Sequence, residues 1–405
     1  VATKRAPAKD GRAALIASAA AAVKKKHRGS ISDVASLALE YPTVFASTGS
    51  LSLDRLCAGL NPGGVPIGEH YGCIVHIAGE WSTGKTLVLD QMFLDVLVRL
   101  KGLAKRTETE GTASPHFPEA IGMPLNLLSI DRPDSFEQAW DMFYDWHEDI
   151  RKQDRTIPVL WGFDSLDSTE ADKSAEKGLG ESGGWHFGGG RAEVLGAILR
   201  KMAKVCSRYP TTLVMLNQTR DNVGVMFGPK KRTPGGNPPH FYASLEFWLS
   251  GSTGRGGKGF VRSQVDLPKF DQKTMKHLGL YDVEDAGAVV GRYIKAKCTK
   301  TKVSTTLDTS AEFYLDFRRG MHRWEGLVER LVLEGMVRTN KDMSEFQATD
   351  RETGEAVKME TKKACLNYIA SHLGMLDLNP AEAAVSEMQA PEEKTFLEKA
   401  NEATK

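Results

Sequence analysis

The 405-residue chain has little cysteine, and what it has forms no pattern: Cys57, Cys73, Cys206, Cys298 and Cys365 are scattered without CxxC spacing. That excludes a cysteine-built zinc site and a disulfide scaffold, and it suits a reducing compartment, so the expected location is the cytoplasm. Long apolar runs are also missing; none approaches the length of a bilayer crossing, and no membrane partner is expected. Nor does one sign of charge prevail, with 53 Lys and Arg against 52 Asp and Glu. Any affinity for a polyanion must therefore come from local basic patches.

The length allows one large core domain with smaller attachments. Residues 10–27 are Ala-rich, include Leu15, Ile16 and Val23, and end in Lys24, Lys25 and Lys26. They predict a helix whose terminal lysines complement its dipole, broken by Gly29 and Ser30. Such a helix needs a partner, either its own domain or a neighbouring chain. The first thirty residues hold eight Lys or Arg and a single acid, Asp10, so an organelle transit segment is the competing reading.

Between residues 47 and 325, short apolar runs alternate with helical patterns. Residues 73–78, 157–163, 211–216 and 288–296 read as strands, and 86–100 as a helix with one apolar face. This alternation predicts an α/β fold around a mainly parallel sheet. Residues 176–190, with Trp185 and Phe187, and 221–240, with Lys230, Lys231 and Arg232, read as loops; 251–290 reads as a further excursion. From 325 onward helices are expected to dominate, around 326–335 and 362–373, in a small C-terminal domain. Residues 379–405 are polar and charged and read as a mobile tail.

Gly79, Glu80, Trp81, Ser82, Thr83, Gly84, Lys85 and Thr86 match the pattern GxxxxGK(S/T), after an apolar strand and at the start of a helix. Glycines let backbone N–H groups curl around phosphate oxygens, and the helix N-terminus adds a favourable dipole. Lys85 offers a positive charge to terminal phosphates, and the Thr86 hydroxyl offers a ligand to Mg²⁺. The second metal-side carboxylate such a site needs is expected at Asp164, which ends the apolar run 159–163.

Further segments make a family resemblance specific. Residues 47–54, then Asn217, Gln218, Thr219 and Arg220, then Val223, Gly224, Val225, Met226, Phe227 and Gly228, then Gly235, Gly236 and Asn237, and residues 241–244 lie in the order found in bacterial RecA proteins. The resemblance covers roughly residues 10–375 and implies a RecA-like P-loop NTPase core over 47–324. It also implies an N-terminal helix in 1–46 that docks on a neighbouring protomer, and an α+β accessory domain in 325–405. As cofactors it implies ATP and Mg²⁺, with Thr86 and Asp164 on the metal and Leu87 beside the phosphates. Glu110 resembles the carboxylate that polarises the attacking water, with Glu108 as a nearby competitor. Phe117 resembles the aromatic stacked on adenine and Phe317 a second apolar contact, although both also suit a core. Gln218 resembles the γ-phosphate sensor, for which an amide that donates and accepts is apt. Lys300 and Lys302 resemble the pair that reaches a neighbour's ATP; they also fit a strand with solvated lysines on one side.

The implied partners are single- and double-stranded DNA and further copies of the chain in a helical filament. Gly235, Gly236 and Asn237 suit phosphate oxygens, Arg200 and Arg220 supply charge, Arg191 is a weaker candidate, and Gly196 falls in the same group. Val223 resembles an apolar wedge between bases, and Trp185 or Phe187 could wedge from the other side. The chain departs from the family pattern in several places. It has a longer first loop, the 251–290 insertion, Glu80 and Trp81 in the phosphate loop, Ser114 in place of an adenine-contacting acid, and His240 in place of a lysine. The implied function is homologous pairing and strand exchange with DNA-dependent ATP hydrolysis. The alternatives are a hexameric helicase of the same fold and a non-catalytic DNA-binding regulator.

Overall fold

A parallel sheet covered on both faces needs strands that are apolar throughout, whereas a strand covered on one face alternates. Both kinds occur in one sheet here. The computed structural model describes residue 18 and residues 44–58, 63–68, 72–171, 189–222, 231–252, 260–262, 289–304, 307, 309–349 and 355–372. The predicted helix at 10–27 (apart from residue 18), residues 172–188 with Trp185 and Phe187 of the first loop, residues 223–230 with Val223 of the second, most of the 251–290 excursion and the tail lie outside the described residues.

Strands β1 (Phe45–Ala46) and β2 (Val65–Pro66) pair antiparallel, with helix α1 (Leu51–Ala58) between them in sequence. There follow β3 (Ile74–Gly79), α2 (Lys85–Val98), β4 (Leu103–Glu108), α3 (His116–Ala120), β5 (Leu128–Asp131), α4 (Phe136–Gln153), β6 (Val159–Asp164), α5 (Gly189–Cys206) and β7 (Thr211–Gln218). A short pair, β8 (Arg220–Asp221) and β9 (Lys231–Arg232), precedes α6 (Pro238–Tyr242). Then come β10 (Leu245–Gly251), β11 (Phe260–Arg262), β12 (Val289–Thr301), β13 (Ser310–Asp316) and β14 (Gly320–Met321).

Ten strands form one sheet in the order β14-β13-β12-β10-β3-β7-β6-β4-β5, with β11 paired to β12. Strands β10, β3, β7, β6, β4 and β5 run parallel. Strands β11 to β14 extend the sheet antiparallel. The mainly parallel α/β sheet expected from the sequence is therefore present, with an antiparallel flank. Strand β12 runs past the 288–296 segment to Thr301; Lys295 and Lys297 alternate with buried Ile294, Ala296 and Cys298, so no continuous apolar run marks its far end.

Helix α2 packs Val88, Leu89, Met92 and Phe93 on one face of the sheet, against Val75, Ile77, Leu160 and Val214. On the other face α4 and α5 bring Phe136, Trp140, Phe143, Leu199 and Met202 against Trp161, Phe163 and Met215. Phe143 stacks on Trp161 with ring centroids 3.9 Å apart. Helix α4 is capped by Ser135, whose hydroxyl accepts from the Gln138 N–H, and its buried positions Phe136, Ala139, Trp140, Phe143 and His147 recur at helical spacing. Between these layers, β6 lies so close to α2 that a Cβ on Gly162 would sit 2.6 Å from Phe93 Cζ and 2.7 Å from Leu89 Cδ2.

Residues 44–405 form one compact unit, and 1–43 another. The C-terminal part of the former holds α7 (Leu327–Leu333), an antiparallel sheet of β15 (Val337–Thr339), β16 (Phe346–Thr349) and β17 (Ala356–Met359), and α8 (Lys362–His372). Val328, Leu331, Phe346 and Ile369 pack there together with Leu51 of α1. Helices were expected to dominate this stretch. The strands between them are only three or four residues long and include Arg338, Gln347 and Lys358, too few apolar positions to register as runs.

Two predictions follow from the packing. Gly162→Ala should push β6 away from α2 and lower unfolding stability by about 1–3 kcal/mol, measured by urea denaturation. His147 is fully buried, with its Nε2 accepting from Arg151 Nε at 3.1 Å; burial and then Arg151 depress its pKa to about 3. The folded chain thus binds fewer protons at this site than the unfolded chain between that value and the ordinary imidazole range. This contribution to stability is present at neutral pH and is lost as pH falls through that window, by up to about 1.4 kcal/mol per pH unit. Urea unfolding at stepped pH should show a shallower acid slope for His147→Gln than for wild type.

Candidate functional site

The loop between β3 and α2 curls because Gly84 holds φ 77° and Ser82 holds φ 55°. Thr83 steadies it, its hydroxyl donating to the Glu80 carbonyl at 2.8 Å. The Lys85 ammonium folds back into the loop and donates to the carbonyls of Gly79 at 3.1 Å and Glu80 at 2.8 Å. Burial lowers its pKa, while Asp164 and Glu110 oppose that shift. Trp81 projects from the loop and is 72% exposed.

Strand β6 carries Asp164 to the start of α2, where the Thr86 hydroxyl donates to Asp164 Oδ2 at 2.8 Å. Burial raises the Asp164 pKa, and the Thr86 bond and the Arg106 charge pull it back. A hydroxyl and a carboxylate side by side at a helix start are hard oxygen donors of the kind Mg²⁺ takes together with phosphate oxygens. The residues present therefore fit a bound Mg²⁺.

Glu110 follows the end of β4, and its Oε1 accepts from the Ser165 hydroxyl at 2.6 Å and from Gln218 Nε2 at 3.1 Å. Its competitor Glu108 is buried and organises the turn, accepting from the N–H groups of Glu110 at 3.1 Å and Thr112 at 3.0 Å. A cavity of about 570 Å³ opens beside these groups, lined among others by Thr86, Leu87, Glu110, Phe117, Asp164 and Phe317. Phosphate-end and apolar-end candidates thus share one space, and Gln218 joins it through Glu110.

Sequence reasoning missed several residues here. Arg106, in the middle of β4, pairs with Asp90 of α2 inside the core and also lines the cavity. An arginine within a buried strand and an acid four residues after Thr86 on the same helical face were the available signals. Ser165, His116 and Arg318 complete the contacts or the lining, in which Ser114, noted from the sequence, also stands.

The other candidates lie apart from this cavity. Lys300 donates to the carbonyls of His240 and Phe241, and the Lys302 N–H donates to the Ser244 carbonyl. Arg191 is turned inward: it donates to the Leu166 carbonyl, lies over the Phe136 ring, and burial lowers its pKa. Arg220 is exposed and holds Asp167 with bonds of 2.8 and 2.9 Å. Gly235 and Gly236 take φ 92° and 69°, and Asn237 precedes α6. This turn rests on α5: a Cβ on Gly236 would lie 3.3 Å from Ala192, and one on Gly196 would lie 3.6 Å from Pro238. Arg200, exposed on α5, donates to the Tyr242 hydroxyl at 3.3 Å. Gly196, Arg200, Gly235, Gly236 and Asn237 thus come from adjoining elements.

Comparison with known proteins gives a consistent picture. A family model described as the RecA N-terminal domain matches residues 14–253. The chain is similar to Protein RecA of Salinispora tropica, 27% identical over 296 residues that cover 73% of this chain and 72% of that one. It is similar to Protein RecA of Rubrobacter xylanophilus, 36% identical over 199 residues that cover 49% and 53% of the two chains. It is also similar to Protein RecA of Ruminococcus albus, 26% identical over 358 residues that cover 87% and 77%.

Proposed function

The chain belongs to the RecA family, and we propose that it is an ATP-dependent recombinase that assembles as a helical filament on single-stranded DNA and exchanges homologous strands. The observation that carries this reading is the hydrogen bond from Gln218 to Glu110. It links the group in position to activate water with the last residue of β7, two positions before the β8–β9 pair that flanks the second loop. Nucleotide state and DNA grip can be coupled through such a side chain, which has both a donor and an acceptor to exchange.

The phosphates of ATP would take over the Lys85 ammonium from the loop carbonyls. Thr86 and Asp164 would hold Mg²⁺, which when bound neutralises phosphate charge. Glu110 has Oε1 engaged by Ser165 and Gln218, leaving Oε2 to orient a water and accept its proton. Phe117 and Phe317 supply apolar walls for the base. Lys300 and Lys302 would complete a neighbour's site, so that hydrolysis depends on assembly.

For DNA, the turn at Gly235, Gly236 and Asn237 offers backbone and amide donors, and Arg200 offers exposed charge. Arg220 would exchange Asp167 for a phosphate oxygen. Arg191, engaged inside the protein, supports the others rather than touching DNA. No described helix is long and apolar enough to cross a membrane.

The test is ATP hydrolysis with and without single-stranded DNA. Strong stimulation by DNA is expected in wild type, and Lys85→Ala should abolish it. Hydrolysis indifferent to DNA would point instead to another ATPase of this fold, and none at all to a regulator. Glu110→Gln keeps an acceptor for Ser165 and Gln218, so it should bind ATP normally in a filter assay while turnover falls about 10²–10⁴-fold. Unchanged turnover in that variant would remove Glu110 from its assigned role.

A further inference from the structure

Away from the cavity, three side chains capable of ligating a metal converge under the turn at Gly235–Asn237. His76 of β3, His240 of α6 and Glu246 of β10 present one ligand atom each, all within 4.8 Å of one another. His76 and Glu246 are buried, while the His240 side chain is 37% exposed and opens the cluster to solvent. His76 Nδ1 lies 3.3 Å from Glu246 Oε2, and His240 Nδ1 is hydrogen-bonded to the same oxygen. Two ligands on a tetrahedral zinc ion, with bonds of about 2.0–2.2 Å, stand about 3.3 Å apart. The edge from His76 to Glu246 therefore already has its length, the edge from His240 to Glu246 opens when their hydrogen bond is replaced by metal, and the third, between the two imidazoles, spans no more than 4.8 Å.

The surroundings also provide what a metal site needs beyond its ligands. Glu246 Oε1 is fixed by the Trp248 indole N–H at 2.9 Å and the Thr299 hydroxyl at 2.7 Å, which leaves Oε2 for the ion. His240 Nε2 lies 2.9 Å from the Thr233 hydroxyl, which can accept its N–H. His76 Nε2 faces the Asn217 amide nitrogen at 3.4 Å, so without metal the His76 proton sits on Nδ1. Asn217 is fully buried, and its Oδ1 has no partner among the described residues. Turned over, that amide would offer the acceptor that a metal-bound His76 requires.

We propose that His76, His240 and Glu246 form a binding site for a transition-metal dication of the Zn²⁺ type, with water in the fourth position. Each imidazole binds as the neutral ring, its remaining proton on Nε2; a second proton on His240, where present, leaves to solvent. The site ties β3 and β10 to α6, whose carbonyls at His240 and Phe241 are held by Lys300. Turning the Asn217 amide breaks its 2.9 Å bond to the Pro234 carbonyl, so metal occupancy also changes the anchoring of the turn that follows.

The experiment uses tag-free full-length chain, stripped with chelator and without nucleotide. Zn²⁺ is titrated by calorimetry and Co²⁺ by visible absorption. Wild type should bind one ion per chain and show ligand-field bands of four-coordinate intensity with Co²⁺. His240→Ala lies at the exposed edge and should fold normally by circular dichroism. Loss of a direct ligand should weaken Zn²⁺ binding beyond the about 10–100-fold typical for an outer partner, and should erase the Co²⁺ bands. Glu246→Gln serves as the second variant, with the same expectation. Asp164→Asn should leave binding unchanged, which separates this site from the nucleotide cavity. Absence of binding in wild type, or wild-type affinity in both His240→Ala and Glu246→Gln, would overturn the proposal.

Discussion

The lack of a side chain at Gly162 lets β6 press onto α2, with Phe93 and Leu89 occupying the space a Cβ would fill. Close contact between this strand and this helix is the constraint on which the candidate site rests. Strand β6 ends in Asp164 and α2 begins with Lys85 and Thr86, so the depth of packing at their middles sets the 2.8 Å bond at their ends. The pair of Arg106 and Asp90 reinforces the same alignment, joining β4 to α2 inside the core. Such a buried pair adds little net stability over an apolar replacement, but it holds a charge where Asp164 benefits from it.

A second level of organisation runs along the sheet's carboxyl ends. The parallel strands β3, β6, β4 and β7 deliver the phosphate loop, Asp164, Glu110 and Gln218 to one edge, as expected where ligands bind open α/β sheets. The antiparallel flank contributes differently: β10 and β12 carry Glu246 and Lys300, which bind the segment around α6 rather than the cavity. The last two residues of β7, Asn217 and Gln218, donate to the Pro234 carbonyl and to Glu110 respectively, so one strand end touches both the cavity and the segment that leads into α6.

Several assignments were legible because the physics behind them is local. A glycine loop between an apolar strand and a helix has little other use, and an apolar run ending in Asp stands out. Strands β3, β6 and β7 were visible as apolar runs, and the run at 288–296 marked part of β12. Strands β4, β5 and β10 and the short β15 to β17 were not, because polar residues such as Lys105, Arg106, Ser129, Glu246, Arg338 and Lys358 interrupt their apolar positions. Arg191 looked like a charge for DNA, and only the fold shows its guanidinium turned onto Leu166 and Phe136. The resemblance favoured Glu110 over its neighbour Glu108; the turn after β4 has Glu108 accept from backbone N–H groups and Glu110 from Ser165 and Gln218.

By itself the sequence determined the α/β class, the glycine loop with Lys85 and Thr86 at the start of a helix, Asp164 at a strand end and the family, because each rests on residues adjacent in the chain or in a recognisable order. Only the tertiary structure decided that Glu110 meets Ser165 and Gln218 while Glu108 holds backbone N–H groups, which arginines stay free of the protein's own carbonyls, and that His76, His240 and Glu246 meet. These residues are up to 170 positions apart. Their meeting depends on strand order and on crossovers that return β10 beside β3, and no local pattern encodes that juxtaposition.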